Sequence, residues 1–553
     1  MNRKILYRRA PAAFLGLLCL VAFSCKKNED IVIPPVTPGT GTGTTAGTRA
    51  QLTQDSIFLY AKEVYLWNTS LPDYAAFNPR QYAGTLDGFD QELYAITQYS
   101  PKNATTGFPY EYTGTVGEAK YSYIDDISTH NVIAAVKDPK SSVDLEGIGN
   151  DFGLKLGAYG VGSGNQYSIY IQAVYQGSPA DLKGLTRGAT ITRINGIAYG
   201  SNYTTESDAV NTALNASSVT IGGVLKDGTT SFNYSLNKTT YKSSPIYSAK
   251  VLAVSGTKVG YLAYARFSNL DNSKAGFDAA FADFAAQGVT KLVIDLRYNG
   301  GGYVNTAEYL LNLIAPSSLT GQVMFKERYN TLMQTGTAPI MANQPLLEDD
   351  GTFQKIKVNN VERVANYTDL AKDYFSEAKQ VTNFSKKGSL QGVTDVVFIV
   401  TRGTASASEL VINSLKPYLN VKIVGTNSYG KPVGFFPITI DYKLDATTKK
   451  ETGYDIYYSM FQTTNSKGEG DYFDGFKPDL SVTGDDASHD FGDLSENNLA
   501  KALSLIITGP LTSGSVSMSI RGTRVNAAAV TVKPLRDGAE FNGMIADRPK
   551  LKK

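Results

Sequence analysis

Ser406 and Lys431 are the two side chains whose types and spacing best suit covalent chemistry. A hydroxyl in Thr401-Arg-Gly-Thr-Ala-Ser-Ala-Ser-Glu409 stands 25 residues before an amine in Ser428-Tyr-Gly-Lys-Pro432. A serine oxygen becomes a nucleophile only when a neighbouring base takes its proton. Histidine is the usual base, but the chain has only His130 and His489, in segments without a partner motif. Lysine is the remaining candidate. Its ordinary pKa of about 10.4 must fall by roughly 3 units for it to act near neutrality, which requires burial. Tyr429, Val433, Phe435 and Phe436 supply an apolar neighbourhood for that, and Gly430 lets the backbone come close.

The flanking segments predict how the pair is held. Asp395-Val-Val-Phe-Ile-Val-Thr401 is a short apolar run rich in β-branched residues, as expected of a buried parallel strand. From Ala407 the spacing of Leu410, Val411, Ser414 and Leu415 is helical. Ser406 therefore falls on a strand-to-helix turn, where unpaired N–H groups and partial positive charge favour a developing oxyanion. The Ala407 N–H is the first donor expected there. A serine at this place can also simply cap the helix. A second strand, Thr290 to Arg297, runs into Tyr298-Asn-Gly-Gly-Gly302, with helical spacing again from Thr306 to Ile314. This glycine turn lacks the patterns of nucleotide-binding loops, so a second oxyanion donor from Gly301 or Gly302 fits better than phosphate binding.

Together these segments resemble the S41 serine peptidases, the carboxyl-terminal processing proteases. Asp295-Leu-Arg-Tyr-Asn-Gly-Gly-Gly302 is similar to one family motif, Thr404-Ala-Ser-Ala-Ser-Glu409 to the nucleophile motif and Tyr429-Gly-Lys431 to the base motif. The resemblance implies Ser406 as nucleophile, Lys431 as base, and an oxyanion hole from Ala407, Gly301 and Gly302. It also implies an α/β core related to crotonase and ClpP. Many members carry Gln four residues after the lysine to orient it; Phe435 stands there instead. The orienting group is open among Glu409, Ser408 and Asn427.

Residues 147–240 resemble a PDZ domain, a β-rich module that binds an extended peptide along a sheet edge. The resemblance rests on the order Gly147-Ile-Gly-Asn-Asp-Phe-Gly-Leu-Lys155, Tyr167 to Val174, Gly177-Ser-Pro-Ala180 and Gly184 to Gly196. It implies a carboxylate-binding loop of Phe152, Gly153 and Leu154.

At 553 residues and 42% hydrophobic content the chain can fill three or four domains. A net charge of +2 argues against a nucleic-acid surface. Arg3, Lys4, Arg8 and Arg9 precede an apolar stretch, Ala12 to Phe23, too short to favour a membrane span and suited to a signal peptide. Ala22-Phe-Ser-Cys25 resembles a lipobox, implying lipidation at Cys25. One cysteine would then remain, leaving no internal disulfide and no thiol chemistry.

The expected organisation is a signal peptide (1–24), a Thr/Gly/Pro-rich tether (25–50), a small helical domain (51–143), a PDZ domain (144–243), the peptidase core (244–508) and an extension of unassigned role (509–553). The expected fold class is multidomain α/β. The expected function is a serine endopeptidase of the cell envelope. It would be an outer-membrane lipoprotein acting on protein or peptide substrates, without cofactor or metal. The alternative is a noncatalytic lipoprotein that binds peptides in the same groove. A histidine-dependent peptidase is a third reading, which requires His130 or His489 beside Ser406. Between Ile314 and Gly392 a helix-like run near Asp369–Lys379 lies in a stretch that is either a lid or cleft wall or a surface insertion with no role. Oligomeric state is left open.

Overall fold

The computed structural model describes residues 47–129, 142–161, 164–348, 352–445, 448, 450–508 and 543–551, with the short strands 31–32 and 532–534. The segment expected to be a signal peptide (1–24), Cys25 and His130 lie outside the described residues. Helix α1 (Arg49–Val64) starts from a reciprocal cap in which Thr48 Oγ1 accepts the Gln51 N–H and Gln51 Oε1 accepts the Thr48 N–H. It packs beside α2 (Leu86–Thr97), burying Ile57, Phe58, Ala61 and Val64 against Phe89, Leu93 and Ile96. Strand β1 (Tyr123–Asp126) follows.

Residues 154–237 form an antiparallel sheet of β2 (Leu154–Gly160), β3 (Tyr167–Val174), β4 (Thr190–Ile194), β5 (Ser218–Val224) and β6 (Ser231–Asn237), with α3 (Tyr203–Asn215) between β4 and β5. Ile169 and Ile171 project to one face, as the two-residue strand period requires. There they bury with Leu154, Ile191, Ile221 and the Val210 and Leu214 side of α3.

The largest unit runs through β7 (Ile246–Val254), β8 (Thr257–Tyr264), α4 (Leu270–Ala286), β9 (Lys291–Asp295), β10 (Gly301–Tyr303), α5 (Val304–Ile314) and β11 (Val323–Tyr329). It continues with β12 (Asp395–Val400), α6 (Ala407–Leu415), β13 (Asn420–Gly425), β14 (Val433–Gly434), β15 (Ile438–Leu444), β16 (Glu451–Tyr457), β17 (Phe461–Thr464), β18 (Leu480–Ser481) and α7 (Asn497–Thr508). The central sheet has the order β7-β8-β9-β12-β13-β18, antiparallel only between β7 and β8. Both faces are covered, as a parallel sheet demands. Leu292, Ile294, Val396 and Phe398 pack toward α4, α5 and α6, while Val293, Val397 and Ile399 pack toward Leu499, Leu503 and Ile506 of α7.

Two features depart from the sequence expectations. The run near Asp369–Lys379 is not an α-helix: a short 3-10 turn, Tyr367–Asp369, is closed by Asn366 and Asp369 capping each other, and turns follow. Those local side-chain bonds compete with helix propagation, and Leu370 and Phe375 anchor the turns in the core. The surrounding stretch is no loose surface appendage either, since Asn330 binds the carbonyls of Glu63 and Tyr65 and Gln344 binds Tyr60 Oη and Thr439 O.

Arg297 and Arg187 tie the central sheet to the 154–237 unit through buried charge. Arg297 pairs with Asp295, Asp485 and Glu496, and Arg187 with Asp485 and the Tyr298 hydroxyl. Burial alone would raise the Asp485 pKa, but Arg187 and Arg297 overrule it and hold the carboxyl well below the usual range. Arg297→Met should therefore lower unfolding free energy by about 3–5 kcal/mol in denaturant titration, because it leaves Asp295 and Glu496 buried without their cation.

Candidate active site

Ser406 is fully buried at the mouth of α6, with φ 60° and ψ −112°. A non-glycine residue in that region is strained, and a serine held on a sharp strand-to-helix turn is a recurrent way to present a nucleophile. Its Oγ has no hydrogen-bond partner among the described residues, so the side chain does not serve as the helix cap that the sequence left open. The Ala407 N–H, first in the helix, has no acceptor within it.

Asn299 builds the turn beside it. Its carbonyl accepts from Ala405 N–H at 3.1 Å and from Ser408 Oγ at 3.0 Å, and its side-chain oxygen takes the Gly301 N–H at 3.0 Å. The Asn299 side chain thus engages the N–H of Gly301, one of the two glycines expected from the sequence as oxyanion donors. Gly301 and Gly302 are also not a plain turn. They belong to β10, with φ of 110° and 134°, and a Cβ at Gly301 would lie 2.9 Å from Ser406 Cβ. Only glycine permits that approach.

Lys431 is likewise fully buried, with Nζ donating to the Tyr121 carbonyl at 3.3 Å and lying 4.6 Å from the Phe435 ring centre. Burial pulls its pKa from 10.5 to about 7; Glu111 and Glu409 oppose the shift and Lys120 adds to it. Of the expected apolar neighbours Phe435 supplies a ring, while Tyr429 stands over Lys120. Sequence reasoning missed Tyr121, Lys120 and Glu111. Lys120 Nζ binds the carbonyls of Gly430 and Phe473, the Tyr121 hydroxyl binds Gly430 O at 2.5 Å, and Glu111 accepts the N–H groups of Tyr121 and Ser122.

Glu409 joins the two motifs. One of its oxygens accepts the Ser406 N–H at 2.9 Å and the Lys431 N–H at 2.8 Å; the other accepts the Gly430 N–H at 2.7 Å and Ser428 Oγ at 2.6 Å. It holds the main chain of the lysine loop, whereas its amine is directed by the Tyr121 carbonyl. Burial raises the Glu409 pKa, opposed by those four donors. His489 pairs with Asp486 and Ser488, away from Ser406. No group of three or more His, Cys, Asp and Glu among the described residues could hold a metal ion. Phe152, Gly153 and Leu154 lie at the start of β2, where an apolar cavity is lined by Phe152, Leu154, Leu156 and Leu214.

Residues 258–482 match the profile of Peptidase family S41. This matched segment lies within a mixed α/β fold of several sheets. Staphylococcus aureus (strain bovine RF122 / ET3-1) has a protein named "Probable CtpA-like serine protease" that is 23% identical over 337 residues, covering 61% of this chain and 54% of that protein. A Staphylococcus saprophyticus protein of the same name is 24% identical over 293 residues, covering 52% and 46%. The match thus spans about half the length of these relatives. A Bacteroides fragilis NCTC 9343 crystal structure, titled as an S41 protease candidate, superposes with a TM-score of 0.51 at 22% identity, covering 82% of this chain and 97% of that one. That likeness concerns the fold.

Proposed function

We propose that the chain is a serine endopeptidase in which Ser406 is the nucleophile and Lys431 the general base. The observation that carries this reading is the Glu409 carboxylate, which binds the N–H groups of both residues and so fixes a strained serine turn beside a dry amine. Neutral Lys431 takes the Ser406 proton as Oγ attacks a peptide carbonyl. The oxyanion is met by the Ala407 and Gly302 N–H groups. Lys431 returns its proton to the leaving amine, and then deprotonates the water that hydrolyses the acyl-enzyme. The 154–237 sheet acts as a PDZ module, receiving extended segments or C-termini at the Phe152–Leu154 loop. Cys25 carries a lipid that anchors the body to the cell envelope, with proteins or peptides as substrates.

Lys431 is active when unprotonated, so activity is low below its pKa and rises as pH passes through about 7. Labelling of Ser406 by a fluorophosphonate, and cleavage of an unstructured reporter peptide, should both follow this single ascending limb. Lys431→Met should remove both. Labelling that is flat across neutral pH, or retained in Lys431→Met, excludes Lys431 as the base.

A further inference from the structure

The chain carries its own occupant for this cleft. Beyond α7 the chain forms β19 (Val532–Pro534) and β20 (Gly543–Ile545). β20 inserts between β10 and the segment after the lysine, parallel to both. Gly543 N–H donates to Gly300 O at 3.1 Å, Phe435 N–H to Met544 O at 3.0 Å, and Ala546 N–H to Phe435 O at 2.9 Å. The Gly301↔Gly543 register of this parallel ladder directs the Gly302 N–H to the Gly543 carbonyl. That carbonyl lies 2.4 Å, and Ser406 Cβ 2.9 Å, from the point a Gly301 Cβ would occupy, so it sits beside the nucleophile. A tail carbonyl thus engages the very donor assigned above to the oxyanion.

Further contacts fasten the strand. Met544 is fully buried, Asn305 Nδ2 binds Asp547 at 3.1 Å, Arg548 pairs with Asp455 at 3.6 Å, and Leu551 N–H binds Gln354 Oε1 at 3.1 Å. Upstream, β19 adds antiparallel to the edge of β2, pairing Val532 with Tyr159 and Pro534 with Gly157. It therefore runs toward the Phe152–Leu154 loop in the sense that an added peptide strand takes. One tail lies along both places where the peptidase reading puts an extended substrate.

We infer that β20 and the residues after it, 543–551, are a built-in, substrate-like strap that closes the Ser406 cleft in the resting chain, and that peptide substrates gain access by displacing β20. The inference rests on the proposed peptidase reading for its purpose, but strand displacement is measurable without catalysis. If only a small fraction of chains has β20 released, apparent affinity and rate fall by that fraction.

Met544→Asp in the full chain places a charge in the buried slot and should expel the strand. A fluorescein-labelled peptide of residues 542–553 should then bind this variant by anisotropy but not the parent, and Ser406 phosphonylation should quicken by about tenfold or more. The same peptide, unlabelled, should suppress that labelling. Asp547→Ala/Arg548→Ala loosens the fastening without touching the slot and should give a smaller gain in the same direction. If Met544→Asp does not fold, this second variant decides. A lower melting temperature with no peptide binding and no faster labelling in the folded variants would make β20 a structural strand and overturn the inference. Peptide binding as expected, with no labelling or reporter cleavage in any variant, would keep the strap and reject the peptidase.

Discussion

Ser406→Ala should reduce cleavage of an unstructured reporter by about 10⁴- to 10⁶-fold, the loss seen when a serine nucleophile is removed from an intact site. The comparison is made both in the full chain and in the Met544→Asp background, so that closure of the cleft is not mistaken for loss of chemistry. Two further readouts separate a chemical role from a structural one. The hydroxyl has no hydrogen-bond partner among the described residues, so its removal takes away a desolvated group and should leave unfolding free energy unchanged or raised by up to about 1 kcal/mol. Ser406→Gly also relieves a left-handed backbone and should raise it further, by about 1 kcal/mol. A serine kept for stability would do the reverse. Full cleavage by Ser406→Ala, checked by mass spectrometry of the products, would place the nucleophile elsewhere.

The parts of this site that could be read from the chain are those encoded locally. β9 through the glycine segment into α5, and β12 into α6, are each a buried apolar run followed by a turn and a helical period, close together in sequence. The elbow at Ser406 follows from those neighbours. What could not be read depends on contacts across the fold. The carbonyl that holds the Lys431 amine belongs to Tyr121, 310 residues away, in a stretch without helical or strand periodicity. The engagement of the Gly301 N–H turns on one Asn299 side-chain bond. β20 is three residues long, too short to have a period, and its partners are β10 and Phe435 rather than anything nearby in sequence. Even Glu409, noticed as a neighbour, was considered as a partner for the lysine amine, when its acceptors face main-chain N–H groups gathered from residues 406, 430 and 431.

This difference matters because the site brings together groups from segments far apart in the sequence. A dry amine needs the apolar wall of Phe435 and the carbonyl of Tyr121. A strained serine turn needs Asn299 below it. Between the two stands one carboxylate, Glu409, which accepts the main-chain N–H of both residues.

Glu409→Gln should accordingly be far from conservative. As a carboxylate, Glu409 presents only acceptors to four donors, two on each oxygen. An amide keeps one accepting oxygen; with its NH₂ turned toward Ser428, whose hydroxyl can also accept, the Gly430 N–H is left buried and unpaired. Such a group costs about 1–3 kcal/mol, and a loss of that size is expected in denaturant unfolding. The separation of Ser406 from Lys431 should loosen as well, lowering kcat about 100-fold with KM little changed, the scale at which small misplacements of reacting groups act. Ionised Glu409 also raises the Lys431 pKa. Removing its charge therefore moves the ascending limb of the activity profile below pH 7, to more acid values. Glu409→Asp keeps charge and acceptors on a shorter stem and should recover part of kcat and the parental midpoint. A Glu409→Gln enzyme that loses stability but keeps both kcat and the midpoint near 7 would confine Glu409 to holding the fold and leave the Ser406–Lys431 spacing to other contacts.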